Sequence, residues 1–440
     1  MFNYYLRLSL RSLQRTPVLS GLMVVAIAVG IGASMTTLTV MHLLSGDPLP
    51  GQSTHIYYPQ VDASPVGFTK GHPLDVLDGR SAVDLWRAHR ADRQALVLDS
   101  AIKVRAPDAG LPPLMLTMLS TTADFFPMFQ VPFQYGGAWT GQDDEQRARV
   151  AVISSDLNDR LFGGSNSVGR SLHLKDSEVR IVGVLAPWRP SPQFYTVAGG
   201  NFANGQTSDF YGKPEDVFTP FFTGLEINDG SFWQYTCWGE VAAPGHLRES
   251  SPCAWLRLWV ELDSAAKAAA YRGFIEHYAQ EQKALGRFTQ TETRMFDLMQ
   301  WLDYNHVVPS DVRLQTGLAF AFLAICLFNT VGLLLAKFLR RSNEIGVRRA
   351  LGATRGAVFA QCLTEAGAVG VAGGVGGWLL TLLGLWLVRS QPTPYADLVH
   401  LDLPMFALIF VVAIAVSLLA GVLPALRASR VAPALQLKTV

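Results

Sequence analysis

Four long apolar runs, over residues 17–45, 313–338, 357–388 and 404–427, restrict this chain more than any other feature. Each is long enough to cross a bilayer as a helix, which takes about 20 mostly apolar residues. A secretory leader has an apolar region of only about 7–15 residues. Val18 to Leu44 passes without one charged residue, so the first run reads as an anchor that stays in the membrane. With 49% hydrophobic and 16% charged residues, the whole is too apolar for an ordinary soluble protein.

The net charge of +1 says little, but its distribution sets a topology. Lys337, Arg340, Arg341, Arg348, Arg349 and Arg355 crowd the segment between the second and third runs against a single acid, Glu344. Such a loop faces the cytoplasm. Residues 389–403 hold Arg389 against Asp397 and Asp402 and read as a short outward loop, and the tail over 428–440 is basic. Arg7, Arg11 and Arg15 recur four apart within residues 1–16, which read as an amphipathic helix on the inner surface or as a disordered basic leader. Both termini are then cytoplasmic, and residues 46–312 lie outside. The expected fold class is an α-helical integral membrane protein of four spans, with a large α+β domain inserted between the first and second.

Within that domain the patterns predict a helix over Asp75 to Arg93 and strands over Ala95 to Val104 and Leu114 to Thr121. Another strand is expected at Trp255 to Val260, then a long helix from Ser264 to Leu285. Trp188 to Trp238 is crowded with aromatic residues, either core filling or a surface that grips a partner. Cys237 and Cys253, the cysteines outside the apolar runs, are placed to form a disulfide in an oxidising compartment. Gly164 to Ser171 spells G-x-x-x-x-G-R-S, but Arg170 stands where a phosphate-binding loop needs Lys, and Leu172 to Leu174 alternate like a strand. The scattered His residues and the lack of a nucleophile or H-E-x-x-H motif argue against an enzyme or a metal site. Nothing in the charge pattern calls for nucleic acid.

The apolar runs carry their own marks. Gly370 with Gly374, and Gly373 with Gly377, are G-x-x-x-G pairs that permit close helix packing, and Ala26, Gly30 and Ser34 form a small-residue stripe. Asn329 and Thr330 read as a polar pair facing another helix, with a substrate contact as the second reading. Glu365 is the one acid deep inside a run, and Lys337 is its candidate partner. It reads either as a coupling carboxylate or as a residue snorkelling near the interface.

The basic segment has internal order. With a cap at Ser342 or Asn343, Glu344 falls in the first helical turn and Arg348 and Arg349 one turn later. Val347, Ala350, Leu351 and Thr354 then line one ridge. The bland alternative is a charged loop that only sets topology.

The stretch Asn343 to Val358, NEIGVRRALGATRGAV, between the second and third of four spans, resembles the coupling segment of the MacB/FtsX-like family of ABC transporter permeases. A second stretch, with Ala151 to Ser154, Leu161 to Gly163, Val168 to Arg170 and Val182 to Val184, is similar to the family's periplasmic core domain. The resemblance implies that Glu344, Ile345, Gly346, Val347, Arg348, Arg349, Ala350, Leu351, Gly352 and Ala353 dock on an ABC ATPase. It implies a separate ATPase chain that binds ATP and Mg, a homodimer or a heterodimer of permeases in the inner membrane, and an adaptor with an outer-membrane channel. Export of antibiotics, peptides or similar molecules is the expected role. Lipoprotein extraction of the Lol kind and FtsX-like control of a periplasmic enzyme are the alternatives.

Overall fold

The computed structural model of this chain describes residues 14–69, 72–105, 112–228, 232, 235–240, 248–401 and 403–430. The surface helix expected over 1–16, with Arg7 and Arg11, and the tail beyond residue 430 lie outside the described residues. The chain divides into two units, a helical one (Met1–Ser45 with Val308–Val440) and a globular one (Gly46–Val307).

In the helical unit, Pro17–Leu44, Ser310–Arg340, Arg355–Arg389 and Leu403–Ser429 are long and apolar enough to cross a membrane. These are the first to fourth spans. The second starts ahead of residue 313, because Pro309 precedes it and Asp311 places a carboxylate in its first turn. The third starts ahead of 357, because the Thr354 side chain accepts from the Ala357 N–H and caps it.

The two glycine pairs of the third span serve two neighbours. A Cβ on Gly370 would stand 2.5 Å from Ser417 Oγ, and one on Gly374 would stand 3.0 Å from Ala413, both on the fourth span. On Gly373 it would meet Ile27 at 2.6 Å, and on Gly377 Ile31 at 2.8 Å, both on the first. The close approach these glycines permit is therefore made within the chain. Gly30 and Ser34 of the first span face the second, where Ser34 Oγ donates to the Ala319 carbonyl at 2.9 Å.

Of the polar pair in the second span, Thr330 is buried and donates to its own helix at Cys326 O. Asn329 faces outward. Among the described residues of the chain, Asn329 thus packs against no neighbouring helix.

The globular unit carries, among its described residues, twelve strands: β1 Ile56–Val61, β2 Leu77–Asp78, β3 Arg93–Arg105, β4 Leu114–Thr121, β5 Phe133–Gly136, β6 Val150–Ile153, β7 Ser171–Leu174, β8 Ser177–Leu185, β9 Val217–Pro220, β10 Thr236–Cys237, β11 Cys253–Glu261 and β12 Thr293–Asp297. The main path runs β12-β1-β11-β3-β4-β9-β6-β8-β5, with β4 to β9 and β6 to β8 parallel and the rest antiparallel. β10 and β2 flank β11, and β7 joins β3 and β8. β11 is buried on both faces, with Trp259 toward Tyr58 and Trp301, and Leu256, Leu258 and Val260 in the core that Tyr271 and Ile275 of the helix Ala265–Ala284 complete. Arg257, 1% exposed, survives there by pairing with Asp99 on β3 at 2.6 Å.

The helix expected over Asp75 to Arg93 spans only Gly79–Arg87. The Asp78 side chain accepts from the Ser81 N–H and starts the helix late. Leu77 and Asp78 pair with β11 instead, and Arg93 opens β3. The aromatic stretch is largely core: Phe194, Tyr195, Tyr211, Phe221 and Phe222 are buried, while Phe202 is 78% exposed. Cys237 and Cys253 are directly opposed across β10 and β11 and are joined by a disulfide. The segment G-x-x-x-x-G-R-S leads into β7 rather than into a helix whose N-terminus could hold phosphate.

Candidate functional site: the basic helix and its buried ions

The basic segment folds as a short helix, Ser342–Ala350, following the second span after a single turn at Arg341. Arg341 occupies the cap position and no side chain caps the helix, so the expected cap at Ser342 or Asn343 is corrected. The cap is displaced because both residues are already inside the helix. Beyond Ala350, Gly352 takes φ +101°, a conformation that glycine adopts without strain, and turns the chain toward the third span. Thr354 caps that span, so it does not extend the ridge of Val347, Ala350 and Leu351.

The helix has an outer and an inner side. Val347 is 50% exposed and Leu351 83% exposed, and Ala350 and Gly352 are exposed with them. Gly346 is buried, while Glu344, Ile345, Arg348, Arg349 and Ala353 are partly buried. Ile345 packs against the core of the helical unit. Arg349 donates to the Ser429 carbonyl at the end of the fourth span.

Inward, five charged side chains form one chain of contacts. Lys337 Nζ, fully buried, lies 2.6 Å from Glu365 Oε1 and donates to Ser20 Oγ of the first span at 3.1 Å. Arg341 joins Glu365, at 3.3 Å, to Glu344, at 3.0 Å. Glu344 also takes Arg348 at 2.6 Å, and Arg348 donates to Gln361 Oε1 at 2.9 Å. The candidate pairing of Lys337 with Glu365 is thus the innermost link of a longer series. Spacing alone reveals the i,i+4 pair of Glu344 and Arg348. It does not reveal the Arg341 link, which depends on how the turn before the helix is set.

Physically, this arrangement satisfies a carboxylate where an unpaired one would be strongly unfavourable, Glu365 being 2% exposed. It also ties the inner side of this helix to the first, second and third spans by charge-assisted bonds, which are roughly twice as strong as neutral ones. The outer side is left as an apolar knob beside the exposed Arg340 and Asn343.

The chain matches the family described as MacB-like periplasmic core domain over residues 20–277 and the FtsX-like permease C-terminal family over residues 316–433. Among similar curated proteins, an uncharacterized ABC transporter permease, YvrN, of Bacillus subtilis is 24% identical, with 70% of this chain and 67% of that protein aligned. The macrolide export ATP-binding/permease protein MacB of Marinobacter nauticus is 26% identical over 72% of this chain and 42% of its own length. The pyoverdine export ATP-binding/permease protein PvdT of Pseudomonas putida is 24% identical over 70% and 41%. The chain thus spans less than half the length of these two export proteins. Among solved structures, the periplasmic region of MacB from Actinobacillus actinomycetemcomitans aligns at a TM-score of 0.35 and 11% identity, over 57% of this chain and 92% of that one.

Proposed function

The chain belongs to the MacB/FtsX-like family of ABC transporter permeases, and from that premise we propose that it is the membrane subunit through which an ABC ATPase, supplied outside these 440 residues, acts on the periplasmic domain. The two-sided coupling helix is the observation that carries this reading. Val347, Ala350 and Leu351 form the contact surface offered to the ATPase, on the cytoplasmic side. Glu344, Arg341, Glu365 and Lys337 transmit displacement of that surface to the spans. Glu344 acts from inside the helix rather than by touching the partner. ATP and Mg bind on the ATPase, and this chain performs no chemistry of its own.

Export is the role we assign, with cargo among antibiotics, peptides or similar small molecules, and with an adaptor and an outer-membrane channel completing the path. The relatives named for macrolide and pyoverdine export support it. A second permease copy is part of the proposal: Asn329 projects from the middle of the second span with no hydrogen-bond partner among the described residues, and an amide in hydrocarbon is stabilised by a partner helix. Asn329→Cys should cross-link to a second copy in membranes, and a purely monomeric product would refute this part.

The coupling reading is tested by co-purifying the full chain with its ATPase. Val347→Asp with Leu351→Asp should release the ATPase while leaving the permease folded. Glu365→Gln should retain the ATPase but lose stimulation of ATP turnover. Retention of the ATPase by the double Asp variant would remove the docking surface from the proposal.

A further inference from the structure

The globular unit contains a cleft of about 620 Å³ that the coupling mechanism does not use. Phe68, Leu74, Phe202 and Tyr304 give it a largely apolar wall, and Phe68 and Phe202 are 44% and 78% exposed at its mouth. This volume lies in the range of small-molecule sites, which join an apolar lining to a few convergent polar groups. The chief polar group is Asp75, 6% exposed. One of its carboxylate oxygens accepts from the Gly199 N–H at 2.8 Å. The other has no hydrogen-bond partner among the described residues.

The surroundings of Asp75 favour a particular partner. Arg294 is the nearby cation, but its guanidinium donates to His72 Nδ1 at 2.7 Å and lies over the rings of Phe296 and Tyr304. It is thus held by other groups and forms no ion pair with Asp75. Burial pushes the Asp75 carboxyl above its ordinary value, an effect that an ammonium group at its open oxygen would oppose. The exposed ring of Phe202 suits both an apolar body and a cation.

We propose that this cleft is a binding site for small amphipathic amines, with the protonated amine on Asp75 and the apolar body against Phe68, Phe202 and Tyr304. The proposal is independent of the coupling helix, because it concerns the globular unit alone and its test needs no ATPase. The full chain is reconstituted in amphipol, and dansylcadaverine, a fluorescent amine on an aromatic body, is titrated against it. Saturable binding with blue-shifted emission is expected, with N-acetylated dansylcadaverine binding at least about tenfold more weakly because it lacks the charge. Asp75→Asn should remove that preference and leave the acetylated probe unchanged. Phe202→Ala, at a position too exposed to disturb folding, should weaken both probes. Absence of saturable binding, or equal binding of the amine by wild type and both variants at unchanged thermal stability, would overturn the proposal.

Discussion

Replacing Glu365 should unbalance the helical unit more than replacing either cation beside it. The Lys337 ammonium is fully buried, 2.6 Å from Glu365, with Ser20 Oγ as its other polar contact in the network. At an effective dielectric of about 20, that separation corresponds to an attraction of roughly 6 kcal/mol before the desolvation of either ion is subtracted. Removing one partner of a buried pair costs about 3–5 kcal/mol, mostly because the other ion is left uncompensated. Glu365→Leu strands both Lys337 and Arg341 and should reach that range. Lys337→Met leaves Glu365 with Arg341 at 3.3 Å and should cost about half as much. The double variant, which removes both ions of the inner pair, should be no less stable than Glu365→Leu alone. Thermal unfolding of the purified chain in one detergent, arranged as a double-mutant cycle, measures the interaction directly. Strict additivity of the two losses, or a loss below about 1 kcal/mol for Glu365→Leu, would show that the pair contributes nothing to holding these helices and would refute the reasoning.

Three further outcomes follow from the geometry. Gly373→Val should lower the yield of folded protein sharply, because its Cβ would lie 2.6 Å from Ile27, whereas Gly367→Ala, whose Cβ would meet Leu418 only at 3.7 Å, should be neutral or slightly stabilising by about 0.5 kcal/mol, as read by size-exclusion yield and melting. Reduction of the Cys237 to Cys253 disulfide, which closes a separation of 16 residues, should destabilise the globular unit by about 3 kcal/mol in denaturant titrations followed by tryptophan emission, and Cys237→Ser with Cys253→Ser should reproduce the loss without reductant. Burial pushes the carboxyls of Asp144 and Glu215 both up to about 7. The folded state then holds protons that the unfolded chain releases at ordinary carboxyl values. The associated stability is fully present below those values and lost as pH rises through about 7, on the order of 1–4 kcal/mol per group. Glu215→Gln should flatten this fall in melting temperature between about pH 4.5 and 7, the interval from the ordinary carboxyl value to the raised one.

The spans were legible because lipid imposes one demand, an uncharged helix of sufficient length, and the four runs meet it openly. The helix Ala265–Ala284 was legible for a local reason too, since Ser264 caps it and good helix formers fill it. β3, β4 and β11 showed themselves by residue type. The order in which strands meet was not legible: β11 lies between β1 and β3, partners separated from it by more than half the globular unit, and no local pattern encodes that. Asp75 to Arg93 misled for a related reason, as Leu77 and Asp78 are drawn into the sheet by a strand far along the chain. At the coupling helix, composition marked the segment, but the inward turn of Glu344 depends on Arg341 being shared with Glu365 on the following span. The cleft beside Asp75 gave no signal in the sequence. Its walls come from residues 68–69, 72–75, 201–202, 236 and 304, none of which forms a motif.

The glycines of the third span also set a limit on how its bundle can move. Advancing that helix by one residue turns it by about 100°. Val371, Val375 and Trp378 would then stand where Gly370, Gly374 and Gly377 now meet the fourth and first spans, and side chains of that size do not fit a backbone approach. The third span is in effect keyed into both neighbours at a single angular setting. Within the helical unit, any displacement of the third span must therefore carry the first and fourth spans with it as a block, and twisting of the third helix against them is sterically barred.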